Sequence, residues 1–287
     1  MILRIYLFSL VALASSNAIS AVILIPSEVL SDYKSLVGDR IPADIRDFRG
    51  KGSRREVVEV ILLLQALNAG DYTHEVRLRT SPSEAQSMRL LAAGEANLLG
   101  TTQWKQTLER FESRIEPSFT AIRAGEYHFG LYGCKGQLSG ATANFASISV
   151  VADKRRAVEW SALQQAGFKS LTDFSTREAR AKMVCLARVQ ATVAEFPSSS
   201  NLDINRGGYT LAPYEGVKLV VDASRHYAIS TSAVGHDAVS LAVNRGLKVI
   251  RRKGVVRRAL LQFGMHHPKT DGWRQITLDP AGNAAAP

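Results

Sequence analysis

Apolar residues along this chain occur in short continuous runs and in longer runs with helical spacing. Residues 22–26 form a short apolar run that ends at a proline, which predicts a buried strand. Residues 56–68 are longer and strongly apolar, so they predict a helix, and Gly70 just after them predicts a left-handed cap. The other predicted elements of this part are a strand over residues 75–79, a helix over 82–93 with Ser81 as its cap, and a strand over 96–100.

The middle of the chain repeats this alternation, and the C-terminal part contains two helices that separate at Lys253 and Gly254. Such a rhythm predicts a parallel α/β architecture rather than a β-sandwich or a helical bundle. Residues 279–287 are small and polar and end in proline, so we expect a disordered tail. The predicted strands cover residues 128–132, 146–151, 192–196, 217–222 and 227–230, and the predicted helices cover 157–166, 177–185, 238–252 and 255–263.

Residues 1–21 have the pattern of a cleavable export signal. Arg4 is the only charge, residues 5–14 are apolar with one serine, and small residues up to Ala21 offer a cleavage site. The apolar run is shorter than the roughly 20 residues that a helix needs to cross a bilayer. We therefore predict a removed signal peptide and a periplasmic protein. The alternative is a buried first strand or helix.

The 287 residues are 46% hydrophobic and 22% charged, which is typical of a globular protein and argues against disorder. The length allows a large core and two lobes. The formal net charge is +10, and the densest basic cluster lies within residues 251–258. No nucleic-acid-binding motif accompanies it. We interpret the charge as a solvated basic surface, with anionic lipid or a membrane partner as the alternative, and expect no nucleic-acid partner.

Two cysteines, Cys134 and Cys185, lie in the middle of the chain. In an oxidising compartment such a pair can close a disulfide, and two small buried thiols are the alternative. His128 is the only histidine near them and the spacing matches no set of zinc ligands, so we expect no metal site.

Five stretches of the chain, taken in order, carry the pattern of a known family. Residues 90–98 resemble an L-x-x-G-x-x-D step from helix to strand, with Asn97 in place of the aspartate. The other stretches are residues 107–110 (T-x-E-R), 115–119 (a crossover strand), 186–196 (G-R-x-D-A-x-x-x-D/E) and 244–264 (the C-terminal helices). Together they resemble the extracellular solute-binding proteins of family three, which serve amino-acid import.

The resemblance implies an α/β protein with the type II periplasmic-binding-protein fold, in which two crossover strands join two lobes. Each lobe is then a mostly parallel sheet flanked by helices. One lobe would comprise residues 22–123 and 223–278, and the other residues 124–222. Such sheets bind small molecules beyond the carboxyl ends of their strands, so we expect the ligand in the cleft between the lobes. No cofactor is implied, and a monomer is expected.

Family members hold an α-amino acid at both of its charged groups, and the resemblance assigns these roles to five residues. Thr101 and Thr102 correspond to groups that bind the carboxylate, and Arg110 most nearly to the arginine that pairs with it. Glu195 corresponds to the acid that holds the ammonium, and Trp104 covers the apolar part of the ligand. Arg110 follows the threonines one residue later than the family spacing. The alternatives are a solvated Arg110, a solvated Glu195 at a strand end, and Trp104 as core packing.

The leading interpretation is a periplasmic solute-binding protein that captures a small polar solute, an amino acid or related organic acid, and delivers it to an inner-membrane permease. It requires no covalent chemistry. The second is a sensory or interaction protein that keeps the fold without tight ligand binding. The third is a dehydratase-like enzyme on the same scaffold, with Glu195 as its acid–base group. No second acid at a motif position, Ser-His-Asp order or Gly-rich phosphate loop supports the third in the sequence.

Overall fold

The structure, a computed structural model, describes residues 20–111, 113–138 and 145–280. The predicted signal peptide lies outside the described residues except for its last two positions, and Ala21 already begins the first strand. Of the predicted tail, residues 281–287 lie outside them as well. In the described ranges, no helix is both long enough and apolar enough to cross a membrane.

Short strands and helices alternate over the described residues. The strands are β1 (Ala21–Pro26), β2 (Val76–Ser81), β3 (Leu98–Leu99), β4 (Gln103–Trp104), β5 (Ile115–Pro117), β6 (Tyr127–Cys134), β7 (Ser149–Ala152), β8 (Ser170–Asp173), β9 (Ala191–Ala194), β10 (Ile204–Arg206), β11 (Tyr209–Pro213), β12 (Val217–Val221), β13 (Arg225–His226), β14 (Ala228–Ser230) and β15 (Arg274–Leu278). The helices are α1 (Ser27–Val37), α2 (Arg55–Ala69), α3 (Glu84–Ala92), α4 (Lys105–Leu108), α5 (Ala157–Gln165), α6 (Arg177–Cys185), α7 (His236–Arg252) and α8 (Val255–Phe263).

The first sheet has the strand order β2-β1-β3-β14-β5, with β1 parallel to both of its neighbours and β14 antiparallel to its own. Ile23 and Ile25 of β1 belong to the large core that contains residues of α2 and α7. Leu24 belongs to a separate core with residues of α3. β1 is therefore apolar on both faces because helices cover both sides of this sheet.

The second sheet is built around β6, which pairs antiparallel with β9, β11 and β12. β7 continues the sheet as a parallel neighbour of both β8 and β9. β15 adds parallel to β12, so the last strand lies in the second sheet and not with the rest of residues 223–278. The physical reason is that β15 covers an edge of the apolar strand β12 that would otherwise be unpaired.

α2 and α7 lie in direct contact at two glycines. A Cβ at Gly246 would lie 1.7 Å from the Ala66 carbonyl oxygen, and one at Gly70 would lie 1.9 Å from the Ala242 carbonyl oxygen. Gly70 has a φ of −95°, so the left-handed cap predicted for it is wrong. The close approach of the two helices requires glycine there, because any side chain would push the backbones apart.

α3 begins two residues later than predicted. Ser83, not Ser81, is its N-cap, and the Ser83 hydroxyl accepts a hydrogen bond from the Gln86 amide at 3.2 Å. Ser81 precedes Pro82 and ends β2, because a residue before proline favours the extended conformation.

Cys134 and Cys185 are joined by a disulfide, with their Cα atoms 4.9 Å apart. The disulfide links the end of β6 to the end of α6 across a sequence separation of 51. Cross-links over loops of this length typically stabilise a fold by about 2–4 kcal/mol. The second sheet is thereby tied to the helix that packs on it.

Candidate functional site

Several of the predicted site residues meet where α2, β4 and β9 approach one another. α2 covers the first sheet and β9 lies in the second, so this region is a junction of the two sheets. Arg55 begins α2 and extends its guanidinium to Glu195, just beyond β9, at 2.6 Å. Thr102 and Trp104 belong to the same junction, one just before β4 and the other within it.

Arg55 is 5% exposed, and its guanidinium is surrounded by three carboxylates. Its Nε donates to Glu195 at 2.6 Å, its Nη1 to both oxygens of Glu59 at 3.0 Å, and its Nη2 to Glu56 at 3.2 Å. A guanidinium this deeply buried is tolerated only when it is paired. Glu56 and Glu59 come from α2 itself, whereas Glu195 comes from the second sheet. Arg55 therefore joins the two sheets electrostatically.

Glu59 is 2% exposed and connects Arg55 to the first sheet. It accepts hydrogen bonds from the Thr102 amide at 3.0 Å and from the Thr102 hydroxyl at 2.6 Å. The same hydroxyl accepts a hydrogen bond from Arg225 Nε at 2.9 Å, and Arg225 Nη2 donates to the Thr102 carbonyl. Both donors of Thr102 are thus taken by Glu59, a carboxylate of the protein itself.

Two aromatic rings lie over these charges. The Trp104 and Tyr127 rings meet edge to face with centroids 5.0 Å apart, and the Arg225 guanidinium carbon lies 4.5 Å from the Trp104 centroid. The Tyr127 hydroxyl donates to Glu195 at 2.5 Å. Trp104 Nε1 is buried and has no hydrogen-bond partner in the described part of the chain, so Trp104 serves here as packing over Arg225. We refer to the following set as the ion network: Arg55, Glu56, Glu59, Thr102, Tyr127, Glu195 and Arg225.

The charge states of the ion network follow from burial and from the arginines. Burial raises the pKa of Glu195, but the surrounding arginines, Arg55 first, outweigh it, so the net pKa lies below the usual range. Arginines led by Arg55 likewise outweigh burial at Glu56 and hold its pKa well below the usual value. Burial and then the charge of Glu195 raise the pKa of Tyr127 far above its usual value. At neutral pH these two glutamates are ionised and the tyrosine is a neutral donor.

A cavity of about 50 Å³ lies on the other side of Glu195, between α5 and the second sheet. Glu195 and Tyr127 line it, so both residues belong to the ion network and to the cavity wall. The other charged residues of its wall are Asp153, Arg156, Glu159 and Arg180, and its larger apolar residues are Phe129, Trp160, Leu163 and Val193.

The fold brings together three of the five predicted ligand-binding residues, namely Thr102, Trp104 and Glu195. Thr101 is half-buried next to Thr102, and Arg110 is exposed on a 3₁₀ turn (Glu109–Phe111). Across the residues that the structure describes, neither Thr101 nor Arg110 makes a side-chain bond to the ion network. The arginine that binds Thr102 is Arg225.

Sequence reasoning missed Arg55, Glu59, Tyr127 and Arg225. Glu59 carried a signal that could have found it, because it is a charged residue inside a strongly apolar helix. Arg55 stands four residues before it, at the spacing of an ion pair on one helix face. Arg225 and Tyr127 carried no such signal, because their partners are distant in sequence.

No protein-family model matches this sequence, and no curated protein matches it. Solved structures do match. The periplasmic VFT2 domain of BvgS from Bordetella pertussis has a TM-score of 0.51 and 15% identity, with 84% of this chain and 91% of that chain covered. Substrate binding domain 2 of GlnP from Lactococcus lactis has a TM-score of 0.51 and 9% identity, with 88% and 97% covered. The probable amino-acid ABC transporter extracellular-binding protein ytmK from Bacillus subtilis has a TM-score of 0.52 and 10% identity, with 86% and 98% covered.

These matches confirm the predicted fold class, a two-lobed α/β structure of the type II periplasmic-binding-protein type. At identities of 9–15% they establish the fold alone. Because one fold supports many functions, the function has to be argued from the site.

Proposed function

We propose that the protein is a periplasmic solute-binding protein that captures a small polar solute, an amino acid or a related organic acid, and delivers it to an inner-membrane permease. In this proposal residues 22–123 and most of 223–278 form one lobe, and residues 124–222 form the other. Solved structures with this fold include a substrate binding domain and an extracellular-binding protein, which supports a binding role. The proposal assigns no covalent chemistry to the chain.

The observation that carries the proposal is the position of Glu195. On one side it accepts a hydrogen bond from Arg55, whose helix covers the first sheet. On the other side it lines the cavity between α5 and the second sheet. A solute in the cavity therefore lies against an acid that is bonded across the junction of the two sheets. Solute binding in the cavity is thereby coupled to the strength of the contact between the two sheets.

In this proposal the solute contacts Glu195 and Tyr127 directly, because both line the cavity. Thr102 acts indirectly. It binds Glu59, and Glu59 in turn holds Arg55 against Glu195. Removing the Thr102 hydroxyl therefore changes the position of Arg55 rather than a direct solute contact.

The proposed compartment is the periplasm. The pattern of residues 1–21 supports export. The disulfide between Cys134 and Cys185 supports it as well, since such bonds persist in oxidising compartments and are rare in the cytosol.

A second candidate is a sensory or interaction protein that keeps this fold without tight solute affinity. The observation in its favour is that Thr102 is already hydrogen-bonded to Glu59, and Glu195 to Arg55. The resemblance assigns those groups to the carboxylate and the ammonium of an amino acid. A solute at that position would have to displace two buried charges of the protein itself.

A thermal-shift screen with amino acids and organic acids tests the proposal against the second candidate. Saturating solute stabilises a receptor by RT ln(1 + [L]/Kd), so we expect a rise of several degrees in Tm with one solute. Glu195→Ala should abolish that rise while the variant still unfolds cooperatively. If no solute in the panel raises the Tm, the proposal is wrong and the second candidate is favoured.

A further inference from the structure

The cavity beside Glu195 is lined by residues of two kinds. Trp160 and Leu163 of α5 and Phe129 of β6 present apolar surface to it. Arg156 and Arg180 line the same space. A solute that complements both kinds of wall has an apolar body and a polar or charged head.

Two of the acids in the cavity wall already have close cationic or hydroxyl partners. Asp153 accepts hydrogen bonds from the Arg155 guanidinium at 3.0 and 2.9 Å. Glu195 accepts hydrogen bonds from Arg55 at 2.6 Å and from Tyr127 at 2.5 Å. A solute ammonium would have to compete with these bonds for each carboxylate.

The two arginines of the wall have donors that the protein does not use. Within the described ranges the Arg156 guanidinium makes no hydrogen bond, and its one ion pair is with Glu159 at 3.8 Å. Arg180 is 8% exposed and its Nη1 donates to the Phe174 and Ser175 carbonyls at 2.9 and 3.3 Å. Its Nε and Nη2 make no hydrogen bond to any described residue. Unused guanidinium donors in a cavity match the oxygens of a carboxylate.

The field at Arg180 also favours an anion. Burial and then the positive charge of Arg156 lower the pKa of Arg180 to about 10. Asp153 opposes this effect but does not cancel it, so the surroundings of Arg180 carry an excess of positive charge. A carboxylate bound beside both arginines relieves that excess.

We propose that this cavity binds an organic monocarboxylate with an apolar body, its carboxylate on Arg156 and Arg180 and its body against Trp160 and Leu163. The inference rests on the proposed solute-binding function and narrows its solute class. A cationic solute would be repelled by the two guanidiniums, and a neutral one would lose the charge-assisted bonds. An amino acid is disfavoured because its ammonium would need a carboxylate partner. Among the described acids of the cavity wall, Glu159 alone lacks a close partner.

The test uses two apolar carboxylates with neutral and cationic analogues of the same shape. Phenylacetate and 4-methylpentanoate are compared with their amides and with phenethylamine and isopentylamine by isothermal titration calorimetry on the purified protein. L-phenylalanine and L-leucine complete the set. We expect a carboxylate to bind at least about tenfold more tightly than its amide, because a charge-assisted bond is lost. We expect no binding of the amines.

Variants then assign the site. Arg156→Gln and Arg180→Gln should each weaken carboxylate binding at least about tenfold, and Arg156→Lys should restore part of the loss. Arg188→Gln is the matched control, because Arg188 is exposed in the same lobe and its side chain makes no hydrogen bond or ion pair within the described residues. Circular dichroism melting curves show whether each variant folds. If Arg180→Gln does not fold, Arg156→Gln decides, because 38% of the Arg156 side chain is exposed.

The outcomes separate this inference from the proposed function. Unchanged carboxylate affinity in both glutamine variants overturns the assigned site. Binding of an amine or an amino acid without binding of a carboxylate overturns the solute class and leaves the proposed function standing. Binding of no compound here and none in the wider amino-acid and organic-acid panel overturns both.

Discussion

The two sides of Glu195 contain the same kinds of charged residue but differ in how completely the charges are paired. In the ion network each carboxylate has an Arg55 nitrogen within 3.2 Å. In the cavity, the one ion pair that Arg156 makes to a described residue is with Glu159, at 3.8 Å. The ion network lies at the junction of the two sheets, whereas the cavity lies within the second.

This difference separates charges that hold the fold from charges that can hold a solute. A fully paired buried charge gains little from a new partner, and removing an existing one leaves the remaining charges uncompensated. An arginine with unused donors gains a charge-assisted bond when an anion arrives. We therefore expect substitutions in the ion network to change stability and substitutions in the cavity to change binding.

Arg55→Gln has the largest expected effect. It removes the guanidinium that pairs directly with Glu59 and Glu195, so the free energy of unfolding should fall by about 3–5 kcal/mol. Urea unfolding at pH 7 followed by circular dichroism measures this loss. A loss below about 1 kcal/mol would show that the ion network does not hold the fold, and the comparison would fail.

Gly246→Ala should separate α7 from α2, the helix that carries Arg55 and Glu59. The new Cβ would lie 1.7 Å from the Ala66 carbonyl oxygen, so α7 must move away from α2. We expect a loss of about 1–3 kcal/mol in the free energy of unfolding. Gly272→Ala is the control, because nothing lies within 4 Å of its new Cβ. Equal stability of the two variants in urea would show that the contact of the helices is not tight.

The pH dependence of stability tests the ionisation of Glu195. Its pKa is lower in the folded state, so its contribution is present above the unfolded value of about 4.3 and is lost as the pH falls through the folded value. Stability should therefore fall less steeply below about pH 4.3 in Glu195→Gln than in the parent protein. Urea midpoints measured across the acid range give both curves. Parallel curves would mean that Glu195 is not held ionised by the network.

Arg156→Gln has the smallest expected effect on stability. Its one ion pair to a described residue is long and its side chain is partly exposed, so the free energy of unfolding should change by less than about 1 kcal/mol. The same urea experiment measures it beside Arg55→Gln. A loss as large as that of Arg55→Gln would mean that the two sides of Glu195 do not differ in role.

Elements with strong local signals could be predicted from the sequence. α6 (Arg177–Cys185) and α8 (Val255–Phe263) occur at the predicted residues. The Thr176 hydroxyl caps α6 by accepting a hydrogen bond from the Ala179 amide, and Gly254 adopts a φ of 69° before α8. Such signals lie within a few residues of the helix ends, so they can be recognised from the local sequence alone.

Strands that depend on a neighbour could not be predicted in this way. β10 and β11 form a hairpin beside β6, and β15 covers β12. None of them contains a continuous apolar run, because each is only partly buried. Their existence depends on the edge that they cover.

The sequence by itself determined the α/β alternation and most helix ends, and family resemblance singled out Thr102 and Glu195 as candidate site residues. Only the tertiary structure decided that Arg55 lies between them and that Arg156 lies beside an open cavity. The reason is physical: a charge is buried or left unpaired according to which distant segments meet around it, and that meeting is a property of the packed sheets.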